Sequence, residues 1–407
     1  MVPLSESPAG TLLVAYTVGG CLLGCCSGLV PGLHANNFAL LLAGAAPTLD
    51  APPLPLGCAM LAAGVVHTFL DVVPALTLGV PDAAMASSAL PAHQLVTEGR
   101  GREALRLSAA GSGIALCVSL PLAVGVTAGM RVAYPTLSAW PPLVLAAVAV
   151  FLVATEATNR RRVAGAVSFA LATGLGLAVL DAPTDPLVTA GGVLAPLFAG
   201  LFRVPVLLQA VGGAGVPPQA DARLGVTRRE LGAAAVAGAG GGAAVGYLPG
   251  VSAGVASVLA LPATAGRDPV REYVVATSGA NTATAVFALF AYWAFGTTRS
   301  GVLVAMNEAG VPATLTPLVA ALVVAGAVGV LGVVVLGDAA LRVVGAVPTT
   351  PLVGGVLVGL VGLSVLFAGP AGVVVLTTAT VVGFVPVALG CRRVHLMGVL
   401  LGPLILA

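Results

Sequence analysis

Two segments of the chain carry the same unusual set of residues. The first reads Gly28-Leu29-Val30-Pro31-Gly32-Leu33-His34-Ala35-Asn36-Asn37. The second reads Gly246-Tyr247-Leu248-Pro249-Gly250-Val251-Ser252-Ala253. Each holds Gly-x-x-Pro-Gly, a polar residue two places on, and then an apolar run. Proline removes a backbone donor and clashes with the preceding turn, and glycine permits φ > 0. Together they predict that one helix ends and another begins. The new helix presents bare N–H groups and the positive end of its dipole. Such an end binds anions, carboxylates included, without a cationic side chain. Pro31, Gly32, His34, Asn36 and Asn37 are therefore candidate substrate ligands at the first break. Pro249, Gly250 and Ser252 are their counterparts at the second, with Ser257 nearby. Interrupted apolar segments at matching places in two halves of a chain point to a transporter's midplane site. A plain proline kink is the alternative for either break taken alone.

A second polar group is Thr277-Ser278-Gly279-Ala280-Asn281-Thr282-Ala283-Thr284, inside an otherwise apolar span. With Gly279 it is expected to let the backbone unwind and expose carbonyls. Carbonyls with Asn and Thr oxygens suit a hard monovalent cation such as Na+. Ser278, Asn281, Thr282 and Thr284 are the candidate cation ligands. The same residue types also serve as helix-packing groups.

His67 and Asp71 share a helix face at i, i+4. Ionisable residues within a span mark pathways or proton relays, or pair with each other near a membrane end; both readings stand. Arg299 follows an aromatic stretch (Phe287, Phe290, Tyr292, Trp293, Phe295) that resembles an interfacial belt. It either snorkels, the preferred reading, or pairs with a substrate carboxylate. Glu156 is expected at the cytoplasmic rim. The six cysteines lie mostly in apolar runs and act as small hydrophobes. Cys21 and Cys25 share a face, but no further ligands complete a metal set.

The elements that carry these residues are set by composition. The chain of 407 residues is 58% hydrophobic and 8% charged, against roughly 25% charged in soluble domains. Apolar runs of about 20 residues, enough to cross a bilayer core, recur along nearly its whole length. Backbone groups in lipid must pair within their own segment, and runs such as Val373-Val374-Val375-Leu376 lack the alternation of a membrane barrel. The fold class expected is an all-α polytopic membrane protein with about ten to twelve transmembrane helices or half-helices. No basic region precedes the first apolar stretch, so it reads as a retained helix rather than a cleaved signal.

The chain contains no lysine, and its arginines cluster at Arg100–Arg106, Arg160–Arg162, Arg223–Arg229 and Arg392–Arg393. The positive-inside rule makes these loops cytoplasmic, in a plasma-membrane protein. Short loops between spans are where topology places arginine, so nucleic acid is not read as a partner. The polar stretch 203–230 reads as a cytoplasmic linker between an N-terminal transmembrane repeat, 1–202, and a C-terminal one, 231–407. A weaker likeness, between Val65–Phe69 and Val274–Ser278, supports the division. The repeats are either parallel or inverted. The inverted arrangement is preferred because many secondary transporters are built that way.

The two Gly-x-x-Pro-Gly segments, the Thr277–Thr284 run and the tail Arg392-Arg393-Val394-His395-Leu396-Met397-Gly398-Val399-Leu400-Leu401-Gly402-Pro403 resemble the large membrane subunit of tripartite tricarboxylate transporters, the TctA type. The resemblance covers almost the whole chain and is closest to a shorter, archaeal-type branch. It implies a cation-coupled carboxylate importer. It also implies two partners, a small membrane subunit and an extracytoplasmic binding protein. Pro31, Gly32, Pro249 and Gly250 carry over as helix breaks, with Ser278, Asn281 and Thr282 near them. The chain departs from the bacterial pattern at His34-Ala35-Asn36-Asn37, where that pattern is richer in glycine.

The function expected is a permease importing small organic anions, di- or tricarboxylates, with Na+ or H+ and no bound cofactor. One repeat would move against the other. The alternatives are a passive anion channel, for which no ring-forming filter motif is present, and an intramembrane enzyme using His67 and Asp71. The chain has no Gly-x-Ser-x-Gly and no His-Glu-x-x-His to support the latter.

Overall fold

The computed structural model describes residues 8–31, 33, 35–46, 51–79, 89–188, 192–212, 215–221, 223–248, 251, 253–260 and 268–407. Among them the regular structure is entirely helical. The first part of the chain forms α1 (Pro8–Gly28), α2 (Ala35–Ala45), α3 (Pro53–Leu70), α4 (Val72–Leu78), α5 (Ala89–Thr97), α6 (Gly101–Ala139), α7 (Pro141–Ala154), α8 (Asn159–Val179), α9 (Leu194–Phe198) and α10 (Val204–Ala210). A π-helical turn, Ala199–Arg203, joins α9 to α10. The second part forms α11 (Arg228–Val245), α12 (Ala253–Ala260), α13 (Pro269–Phe295), α14 (Gly301–Glu308), α15 (Leu315–Ala346), α16 (Thr349–Leu389) and α17 (Gly398–Leu406). A 3-10 turn, Arg393–Met397, leads into α17.

Seven of the described helices are long and apolar enough to cross a membrane, and shorter apolar helices cover Pro141–Ala154, Leu194–Ala210 and Arg393–Leu406. Their starts follow local chemistry. Thr227 and Glu230 form a reciprocal capping box on α11. Asp268 accepts from the Arg271 N–H, with Pro269 in the first turn of α13. The linker read over 203–230 begins later in the structure. Its first residues are helical to Ala210, and Arg203 is buried.

The helix α16 is two arms rather than one rod. Gly369 has φ 62° and ψ −155°, a region open essentially to glycine alone. A Cβ on Gly372 would lie 2.1 Å from the Ser364 carbonyl oxygen. Residues eight apart on a straight helix are about 12 Å apart, so the chain doubles back at Gly369. Arms 349–368 and 370–389 each suffice to cross about 30 Å of hydrocarbon.

Glycine-lined contacts fix the helix directions. α1 runs parallel to α3, with Gly20 against Ala59, Gly24 against Ala63 and Gly28 against His67. α11 runs parallel to α13, with Gly238 against Ala276, Gly242 against Ala283 and Gly246 against Phe287. α3 runs parallel to α15, through Cys58–Pro317 and Phe69–Gly329, and α13 runs parallel to α6, through Glu103–Arg271 and Ser108–Ser278. α6 is antiparallel to α15, through Arg102–Asp338 and Leu116–Gly326. The α1–α3–α15 set therefore opposes the α11–α13–α6 set. These directions are consistent with an inverted pair.

The packing does not divide where the chain divides. α1–α6 pack with α11–α15, while α7–α10 pack with α16 and α17. Contact between the groups is sparse, and part of it is between α6 and α7, which are consecutive in the chain. Buried ionic contacts hold each group. Glu103, fully buried, takes Arg271 at 2.8 Å and the Gly225 N–H at 2.6 Å. In the second group, Glu156 accepts from Arg392 N and Nε, both at 3.0 Å, and meets His395 Nε2 at 2.9 Å. Glu156 is thus buried among the helices of its group. Burial alone would push its carboxyl up. The Arg392 N–H, His395 and the Arg392 guanidinium outweigh burial and hold it below the ordinary carboxylate value.

Candidate functional site

Both predicted breaks interrupt helices. The first separates α1, ending at Gly28, from α2, starting at Ala35. The second separates α11, ending at Val245 with Gly246 as cap, from α12, starting at Ala253. Gly32, His34, Pro249, Gly250 and Ser252 lie outside the described residues. Pro31 follows α1 in a turn, and Asn36 and Asn37 fall in the first turn of α2. Ser257 is buried in α12 and returns its hydroxyl to the Ala253 carbonyl at 2.9 Å.

The two breaks lie near one another but not at one depth. Gly28 packs at the level of His67 on α3, and Gly246 at the level of Phe287 on α13. Asn281 Nδ2 donates to the Thr68 carbonyl at 3.3 Å and relates these levels. Six residues separate Asn281 from Phe287, about 9 Å along a helix. Because α1 and α11 run in opposite directions, the ends of the two helices pass each other by about 9 Å, and the two breaks lead away to opposite sides of the Asn281–Thr68 level. The starts of α2 and α12, with their unpaired N–H groups, therefore lie at the breaks.

Specific side chains position each break. His67 Nδ1 is 2.9 Å from Ser27 Oγ, and its ring stacks on Phe38 with centroids 5.9 Å apart. His67 thus touches the last turn of α1 and the first half of α2. It is fully buried at the depth of the break, not at a membrane end. At the second break Tyr247, 1% exposed, meets Thr127 Oγ1 at 2.6 Å and lies beside Phe287. Sequence reading missed Ser27, Phe38, Thr127 and Tyr247 as supports, although Tyr247 stands inside the repeated motif.

The Thr277–Thr284 run stays helical, so the expected unwinding does not occur. Its hydroxyls bond back to their own helix: Thr277 to Tyr273, Thr282 to Ser278 and Thr284 to Ala280. Back-bonding satisfies each hydroxyl without freeing a carbonyl. Ser278 Oγ meets Ser108 Oγ at 2.8 Å, and Ser112 donates to the Ser278 carbonyl at 3.1 Å. Asn281 alone of the four candidates reaches across to α3. Arg299 donates to the Tyr134 hydroxyl, and its guanidinium carbon stands 5.5 Å from that ring's centre. That contact is intramolecular and interfacial in kind.

Residues 14–398 match the tripartite tricarboxylate transporter TctA family. The chain belongs to this family. It is accordingly a multi-pass membrane protein and a component of a tripartite tricarboxylate transporter. This TctA chain is also similar to the uncharacterized protein MJ1079 of Methanocaldococcus jannaschii. The two are 26% identical over 298 residues, covering 72% of this chain and 71% of that protein. No solved structure matches the TctA chain.

Proposed function

We propose that the chain is the permease of a secondary transporter that imports small organic anions, di- or tricarboxylates, with Na+ or H+. Substrate carboxylates bind between the two breaks, against the N-termini of α2 and α12, with Pro31, Gly32, His34, Asn36, Asn37, Pro249, Gly250 and Ser252 around them. The coupling cation sits beside Asn281 and Thr282, with Ser278 and Thr284 framing that stretch of α13. The two halves of the chain act as inverted repeats, 1–202 and 231–407, joined on the arginine-rich side. A small membrane subunit and an extracytoplasmic binding protein complete the system.

Two interrupted helices that run in opposite directions and pass each other beside the Asn281–Thr68 contact carry this reading. The helix that follows each break offers its N-terminus as positive potential for an anion without a buried cation. Uptake of labelled citrate into proteoliposomes tests it. Accumulation driven by a Na+ or proton gradient is expected, and replacing Pro249-Gly250 by Ala-Ala abolishes it while membrane insertion persists. Gradient-independent equilibration would make the protein a channel. Unchanged uptake by the Ala-Ala variant would remove the second break from the site.

A further inference from the structure

The helices that hold the site belong to both halves of the chain but to one packed group. α1–α3, which carry the first break, and α11–α13, which carry the second, both lie with α4–α6, α14 and α15. Hydrogen bonds and ion pairs cross between the chain halves inside this group: Asn281–Thr68, Ser108–Ser278, Glu103–Arg271 and Arg102–Asp338. Glycines there are closed against neighbouring backbone. A Cβ on Gly111, on the first half, would lie 2.5 Å from the oxygen and 2.9 Å from the Cα of Val275, on the second. Such close-packed contacts do not slide. Moving one half of the chain against the other would break all of them.

The boundary between the groups is different in kind. The pairs Arg102–Asp338, Ser108–Ser278, Asn281–Thr68, Glu103–Arg271, Thr173–Gly398 and Glu156–Arg392 each lie within one group. The helix pairs on either side of the breaks, α1–α2 (the first hairpin) and α11–α12 (the second hairpin), meet the other group differently, the second through apolar side chains. Val251, Val255 and Val258 share a cluster with Leu197, Phe202 and Met397. The first hairpin faces the other group across a cavity of about 740 Å³, between Val30 and Pro31 and the first arm of α16. Gly355, Gly359 and Gly362 line that wall, and a Cβ on any of them would meet nothing within 4 Å.

The two hairpins run in opposite directions, yet one is seated on the neighbouring group and the other is not. An arrangement with opposed, related halves has a second state in which these roles are exchanged. We propose that α1–α6 and α11–α15 move as one body, carrying both breaks and the bound anion, against a second body of α7–α10, α16 and α17. The first hairpin closes onto the glycine wall of α16 as the second leaves its apolar seat. The covalent ties are the turns at Trp140 and Val347-Pro348 and the segment between α10 and α11, none of which crosses the sliding face as a helix. This inference rests on the two-break site described above for its cargo, but not for its motion.

Pulsed electron–electron resonance on spin-labelled protein in lipid nanodiscs tests the motion. The background lacks the six native cysteines and is first shown to melt, and to handle citrate, as the wild-type protein does. Leu22→Cys with Val335→Cys joins opposite chain halves within the first body, and Val124→Cys with Val381→Cys joins the two bodies. All four positions are exposed. Distances are read without ligand, with Na+, with citrate and with both. The Val124/Val381 distribution is expected to shift by about 5 Å or more, one helical turn, between conditions, while Leu22/Val335 stays fixed. Any shift of the Leu22/Val335 pair, or no shift of Val124/Val381 across all four conditions, overturns the proposal. A Val124/Val381 shift induced by Na+ in a protein that accumulates no carboxylate would keep the two bodies and discard the substrate reading.

Discussion

Asn281 on α13 donates to the Thr68 carbonyl on α3 at 3.3 Å, the direct side-chain link between the helices that flank the two breaks. It joins the chain's halves at the depth where the first break begins. A neutral hydrogen bond of this kind contributes about 1 kcal/mol. Asn281→Ala should therefore lower the melting temperature by only a few degrees. Citrate uptake should fall by about tenfold or more, because the amide is also a proposed ligand of the coupling cation. Wild-type uptake in the Ala variant would take Asn281 out of that site.

His67 and Ser27 form a second testable pair. Ser27→Ala and His67→Phe each delete their 2.9 Å contact, and Phe retains a ring to stack on Phe38. Both variants should slow uptake. The double variant should be no slower than His67→Phe alone, since residues sharing one interaction are not additive. Additive losses in the double-mutant cycle would show that the two side chains act separately.

Glu156 predicts the pH profile of stability. Its carboxyl is held below the ordinary carboxylate value when folded. Its stabilisation is therefore complete above the unfolded value, about 4.3, and is lost as pH falls through the folded one. Wild-type protein should melt at a constant temperature from neutral pH down to about 5 and lose stability below about 4. Glu156→Gln should be destabilised at neutral pH by about 2 kcal/mol, because it removes the carboxylate that partners the half-buried Arg392 and the buried His395. The variant's profile should also be flatter in acid. An identical acid limb in both proteins would rule this group out as its source.

Gly369 should tolerate no side chain. Its φ of 62° and ψ of −155° suit glycine only, and a Cβ would meet the Asp185 oxygen at 2.3 Å. Gly369→Ala should cost about 2 kcal/mol or more. Gly362→Ala, on the same arm but facing open space, should cost under about 0.5 kcal/mol. Comparable melting temperatures for the two variants would contradict the hairpin at Gly369.

Cross-linking separates motion by halves from motion by bodies. Arg102 and Asp338 belong to different halves of the chain and lie in contact at 2.6 Å. Arg102→Cys with Asp338→Cys, bridged by a short bifunctional thiol reagent in the cysteine-free background, should leave uptake within about twofold of the unbridged protein. Loss of uptake on bridging, restored on reversal, would mean that the halves must separate.

The breaks, the apolar spans, the arginine-rich loops and the family were legible from residue order because each has a local cause. Proline and glycine stop a helix wherever they fall, and lipid forces every span to close its own hydrogen bonds. The fate of Thr277–Thr284 was not legible. A hydroxyl-rich stretch can unwind or bond back to its own helix, and Ser108 and Ser112 on α6, far away in sequence, hold it against the back-bonded form. Glu156 sits next to Arg160–Arg162 in the chain, yet its partners Arg392 and His395 are brought to it by α16 folding back at Gly369. Tertiary structure also decided which helices form a body. The chain divides at its polar linker, but close packing of glycine faces is indifferent to that order. It binds α1–α6 to α11–α15 because their surfaces interlock, and leaves the smoother apolar boundary where no such interlocking exists.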